Sequence, residues 1–404
     1  MTTKIARPSF DSPASEWLVY GDALQEANDV RGELVGLSHA VEEGRTEAGL
    51  RDAYVKRHAT QLLGRAADQL AHYTLRWQFS ELAAVEIRIG PDDDGPALVR
   101  AILEAPTAEL LTDVTLVGVS DGARRVDLSP AMDLLGGAKR ITRLGLVDDR
   151  ARSSSMLVSR DFDPGENLVT FGSVKPFVDR LVGLSFDVAD SYALTDLENF
   201  SAPELRAFAL RSLRFTDWED AGTMSSRLAT AKWPKLESFE LRLVETWIAN
   251  VPDEPADVYV RVYSAPDHEI APGEPGYDDV DDGETGGINW GNDLAPILAT
   301  LKGCPLRRLA LTSFDSSDSV LEALEDSGLL PVIEVLDLSD SALREEHADW
   351  IVAHAGSFSN LAQLVVERTA IGDAGAHKLA SLGPKVAYSA GGGEPSYRYV
   401  VGQE

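Results

Sequence analysis

One pattern limits what this chain can fold into. The apolar spacing L-x-x-L-x-L, with Ile, Val or Phe allowed, occurs nine times along 404 residues. The copies are Leu82/Val85/Ile87, Leu111/Val114/Leu116, Ile141/Leu144/Leu146, Leu181/Leu184/Phe186, Leu205/Phe208/Leu210, Leu236/Phe239/Leu241, Leu306/Leu309/Leu311, Ile333/Leu336/Leu338 and Leu361/Leu364/Val366. Their starts lie 29, 30, 40, 24, 31, 70, 27 and 28 residues apart. Five of those eight spacings fall between 27 and 31, so one structural unit is being reused. The alternation at the end of each copy reads as a short strand.

Between copies the apolar period lengthens to that of a helix, as in Leu98/Val99/Ile102/Leu103, Leu294/Ile297/Leu298/Leu301, Val320/Leu321/Leu324 and Trp350/Ile351/His354. Each unit is therefore a strand followed by a helix, an α/β arrangement. No single unit can bury its own apolar face, so neighbours must stack. The length agrees, because a chain of this size outgrows one compact core and divides or elongates.

The sequence resembles the leucine-rich-repeat family, in particular its long-repeat, helix-containing, ribonuclease-inhibitor-like branch. The closest match in pattern is Leu361–Leu382, where Ile371-Gly372-Asp373-Ala374-Gly375-Ala376 resembles the turn into the convex helix. The resemblance implies a solenoid, or horseshoe, over 81–390, with a parallel concave sheet and convex helices. It departs from the family at the ninth position, where Asn or Cys usually bonds the backbone between turns. Here that position holds Gly90, Val119, Asp149, Ala189, Leu213, Val244, Phe314, Ser341 and Thr369, of which Ser341, Thr369 and Asp149 could imitate the bond.

Residues 1–80 read as a helical N-terminal cap. The stretch Trp17–Leu37 contains Asp29-Val30-Arg31-Gly32-Glu33, similar to the segment that opens many bacterial repeat proteins. Leu18, Leu24, Leu34 and Leu37 are expected to form one apolar stripe that shields the end of the solenoid. Arg31 and Glu33 are expected to fix the turn between two helices. A further helix over Val55–Leu70 and the pair Trp77/Phe79 would complete the cover.

The 70-residue spacing hides an acidic insertion at about 251–291, opening with the strand-like Asp257–Tyr263. Between Arg261 and Lys302 there is no Lys or Arg, while Asp278, Asp279, Asp281, Asp282 and Glu284 crowd together. Residues 264–291 cannot bury enough apolar surface to order themselves and are expected to be a protease-sensitive loop. It is not an EF-hand: counting from Asp279, the glycine arrives one place early and position twelve is Trp290. Residues 391–404 read as a tail.

A net charge of −29 disfavours nucleic acid and makes a basic protein surface the natural complement. The lone Cys304 excludes an intrachain disulfide and reads as a packing residue. The N-terminus carries no apolar signal run, and no stretch suits a membrane span, so a cytoplasmic protein is expected. The seven histidines show no metal-ligand spacing, and no phosphate loop or nucleophile elbow is present. No cofactor, metal or catalytic group is expected.

What remains is the sheet face. Side chains alternate along a strand, so residues beside the second and third apolar positions point away from the core. These are Glu86, Arg88, Asp187, Arg211, Glu240, Arg242, Thr312, Asp337, Ser339 and Glu367. Arg88, Asp187, Arg211, Glu240, Arg242, Asp337 and Glu367 are the candidate partner-binding residues, with the acidic loop as a second surface. Truncating Arg211 and Arg242 together is expected to weaken binding at no cost in thermal stability. The reading is a non-enzymatic protein-recognition module. The alternatives are an inhibitor, adaptor or protease substrate within a multi-protein bacterial conflict or signalling system, and an enzyme with an unrecognised site.

Overall fold

A computed structural model describes residues 6–121, 124–152, 168–188, 197–212, 218–242, 290–314 and 317–389. The chain is α/β, with mostly parallel strands and, among the described residues, eleven α-helices. It divides into two compact units, the first comprising Met1–Asp149 and Leu168–Leu181, the second Arg150–Asn167 and Val182–Glu404. The insertion, apart from Trp290 and Gly291, the strand expected over 257–263 and the tail 391–404 lie outside the described residues.

The first unit opens with α1 (Ala14–Glu26) and α2 (Arg31–Glu42), which cross where two glycines meet. A Cβ at Gly32 would lie 2.6 Å from both the Gly21 carbonyl oxygen and the Gln25 amide nitrogen. The Asp-x-Arg-Gly-Glu motif is thus a crossing device. The local ion pair at the turn joins Arg31 to Asp29, with Nη2 2.6 Å from Oδ2. That bond, opposed by burial, depresses the Asp29 carboxyl pKa. Of the expected stripe Leu34 is buried, while Leu18, Leu24 and Leu37 are only partly covered; Trp17, Tyr20, Val35 and Phe79 form the buried cluster here.

Next come α3 (Ala48–Arg57) and α4 (Ala59–Leu63). The helix expected over Val55–Leu70 does not run through, because Gly64 takes φ +57° and the chain tightens into a 3₁₀ turn to His72. Trp77 belongs not to a helical cover but to a strand, β1 (Tyr73–Gln78), antiparallel to β2 (Glu81–Ile89). Then follow α5 (Gly95–Leu103), β3 (Asp113–Gly118), β4 (Val126–Asp127), α6 (Ser129–Gly137), β5 (Arg143–Asp148) and β6 (Val169–Thr170). Strands β2, β3 and β5 pair in parallel, as β4 and β6 do apart from them.

The second unit carries β7 (Gly183–Val188), β8 (Ala207–Ser212), α7 (Trp218–Ala229), β9 (Ser238–Arg242) and α8 (Trp290–Leu301). It continues through β10 (Arg308–Thr312), α9 (Ser317–Ser327), β11 (Val335–Asp337), α10 (Glu345–Ala353), β12 (Gln363–Val365), α11 (Gly372–Ala380) and β13 (Lys385–Ala387). The seven strands lie side by side in sequence order, all parallel. Register is set the same way at successive strands. Each of the carbonyls of Val182, Arg206, Glu237, Arg307 and Glu334 accepts from two consecutive amides of the next strand.

All three apolar positions in all nine copies are buried, the most exposed being Leu361 at 7%. The repeat is therefore the core: at about 25 cal/mol per Å² of apolar surface, these side chains are the main favourable term. Aromatic residues thicken it at β8 and β9, where Phe208 stacks on Phe239 at 5.7 Å and both touch Trp233.

Candidate functional site

In the second unit the strand register brings the polar positions into rows across the sheet. Asp187, Arg211 and Arg242 share one row, Ser185, Ala209, Glu240, Ala310 and Asp337 another, and Ser238, Arg308 and Val335 a third. Most of these residues are half-exposed, so this face of the sheet is open to solvent.

The charges on it pair laterally. Arg211 Nη1 lies 3.0 Å from Asp187 Oδ1, and its Nε and Nη2 donate to the two Glu240 oxygens at 2.6 and 2.9 Å. Glu240 is 3.6 Å from Arg308, whose Nη2 donates to Asp337 at 3.1 Å. Asp187–Arg211–Glu240–Arg308–Asp337 is a continuous charge ladder across five strands, β7 to β11. The arginines are 37% and 38% exposed and the three carboxylates only 17–20%, so the cationic tips stand outermost. Burial lowers Arg211's pKa, but Glu240 and then Asp187 outweigh it and raise the pKa. Burial likewise pulls the Glu240 carboxyl up, and Arg211 with Arg308 holds it below its ordinary value.

This corrects the expectation that Arg211 is available to a partner at no structural cost, since it joins three strands. Arg242 donates from Nε to Ser313 Oγ at 3.2 Å, so it too is engaged. Asp337 serves the ladder and also accepts from the Ser339 hydroxyl at 2.7 Å. Glu367 is half-exposed, 3.8 Å from Arg368. Arg88 lies in the first unit, where it bonds Asp149 at 2.9 Å. Asp278, Asp279, Asp281, Asp282 and Glu284 lie outside the described residues.

Sequence reading missed Arg308, the link between Glu240 and Asp337. The signal was available: Arg308 is two places before Ala310 and so falls on the same face, one position earlier than the positions counted.

The ninth position is not used as the family resemblance implies. The Ser341 hydroxyl donates to Leu338 O at 2.6 Å and Thr369 to Val366 O at 2.9 Å, three residues back in the same repeat. Asp149 pairs with Arg88 instead. Just before that position, Ser313, Asp340 and Arg368 adopt φ of +63°, +59° and +55° in three successive repeats. The Ser313 amide donates to Ser339 O and that of Asp340 to Glu367 O, so bonds to the next repeat hold this strained backbone.

Other titratable side chains of the second unit are tied into its packing. Cys304 donates to the Trp233 carbonyl at 3.3 Å, and burial pushes its thiol pKa up. His347 is buried, accepts from the Arg344 amide at the start of α10 and sits 3.4 Å from Asp318; His354 stacks on Trp350. Among the described residues no group of three or more His, Cys, Asp and Glu could hold a metal ion, and no helix is long and apolar enough to cross a membrane.

No protein family and no curated protein matches the chain. Among solved structures, it is similar to a Bacteroides fragilis protein determined by crystallography as a structural-genomics target. The two are 15% identical, over 74% of this chain and 70% of that one, with a TM-score of 0.45.

Proposed function

We propose that this chain is a non-enzymatic protein-recognition module of the leucine-rich-repeat kind, and that a protein partner docks across the open strand face of its second unit. In this reading the face is the concave side of a solenoid and residues 1–80 cap its end. The observation that supports it is the charge ladder from Asp187 to Asp337. It fixes long side chains that would otherwise have to be ordered on binding, at about 0.5–1.5 kcal/mol each. Between them the small, half-exposed Ser185, Ala209 and Ser238 leave room for a partner's side chains. A single cysteine in 404 residues fits a reducing compartment, so the partner is sought in the cytoplasm.

The test is site-specific photocrosslinking in cells. A crosslinker at the half-exposed Ser238 or Thr312 should capture one protein, while one at the exposed Glu322, on α9, should not. Silence at both strand positions with capture at Glu322 would move the interface to the helices.

A further inference from the structure

At the start of β2, Glu81 is completely buried, and neither carboxylate oxygen has a hydrogen-bond partner. Arg7 Nη1 is 3.5 Å away and Arg31 Nη1 3.9 Å, close enough for attraction but too far for bonds. Arg7 belongs to residues 6–12, which lie without helix or strand against the helical region. That segment is held by Phe10, whose ring stacks on Trp17 at 6.3 Å, and by a few polar contacts. Arg7 reaches the exposed Glu109 at 2.6 Å. The Ser9 carbonyl accepts from Trp17 Nε1 at 3.1 Å, and that of Phe10 from Gln78 at 3.3 Å. Beneath it lies the aromatic cluster of Trp17, Tyr20 and Phe79, with Trp17 stacked on Phe79 at 4.8 Å.

We propose that residues 6–12 are a strap that stays closed while Glu81 carries a proton and lifts when Glu81 ionises, uncovering the Trp17–Phe79 cluster. The reason is hydrogen bonding. An ionised carboxylate sealed from water with no donor is costly, and lifting the strap admits water to it. The groups facing Glu81 are Arg7, Arg31, Asp29 and Glu109, and they do not offset its burial: its carboxyl is pushed up to about 7, first by burial, against the pull of Arg7 and Arg31. The sign follows from linkage. The closed state holds the proton more tightly than a hydrated Glu81 would, so closure is favoured at low pH and lost as pH rises from the ordinary carboxyl value toward 7.

The test is hydrogen–deuterium exchange on the full chain, following the peptide over residues 6–16 between pH 5 and pH 8.5, with rates corrected for the intrinsic pH dependence. Protection there should fall about tenfold or more as pH rises, the size set by a carboxyl shift of one unit or more. Peptides from β3 and β5 should not change. Glu81→Gln, neutral at every pH, should keep the strap protected throughout, and Glu81→Met should do the same if the amide variant fails to fold. Protection independent of pH in the wild type, or falling with pH in a neutral variant, would overturn the proposal.

Discussion

Replacing Arg211 with methionine keeps the aliphatic stem of the side chain and removes the centre of the charge ladder. Three hydrogen bonds disappear: two to Glu240, at 2.6 and 2.9 Å, and one to Asp187 at 3.0 Å. Exposed ion pairs contribute about 0.2–1 kcal/mol, whereas breaking a buried one costs about 3–5 kcal/mol. With its guanidinium 37% exposed and its partners near 20%, Arg211 stands between these limits. Glu240 keeps Arg308 at 3.6 Å, which lowers the penalty. The expected loss is about 1–2 kcal/mol, or about 2–8 °C in Tm for a body of this size. Arg211 helps hold the Glu240 carboxyl below its ordinary value of 4.5, against burial. A depressed carboxyl stabilises above its unfolded value and loses that contribution as pH falls through the folded one. The difference between wild type and Arg211→Met should therefore be full at pH 7 and shrink below about pH 4.5. Urea unfolding followed by circular dichroism at both pH values, completed as a double-mutant cycle with Glu240→Gln, should give a coupling of about 1 kcal/mol. A variant within about 0.3 kcal/mol of wild type at pH 7, with no coupling, would show that the ladder is surface decoration.

Other expectations follow from single contacts. Gly32→Ala must part α1 from α2 and should cost about 1–3 kcal/mol, whereas Gly36→Ala, with nothing within 4 Å of the new Cβ, should be neutral or stabilising; thermal melts of the pair separate these outcomes. Leu336→Ala removes a fully buried repeat position and should lower stability by about 2–5 kcal/mol in urea titration. Cys304 should react slowly with a thiol reagent at pH 8 in the native protein and rapidly in denaturant, because burial raises its pKa.

The sequence alone determined where the core runs. Twenty-seven apolar positions and four intervening helix patterns were legible, because strand and helix periods are local properties of the chain and burial follows them. The side on which each polar residue falls was legible for the same reason, from Asp187 to Asp337. What those residues bond to was not. Arg211 meets Asp187 and Glu240 only because strands 24 and 29 residues apart in the chain lie side by side in register. Likewise nothing in Ser313 or Asp340 announces that its left-handed backbone is held by a carbonyl of the following repeat. Glu81 reads as an ordinary charged residue at the edge of a strand. Tertiary packing buries it completely, and burial, which outweighs the pull of Arg7 and Arg31, pushes its carboxyl up to about 7.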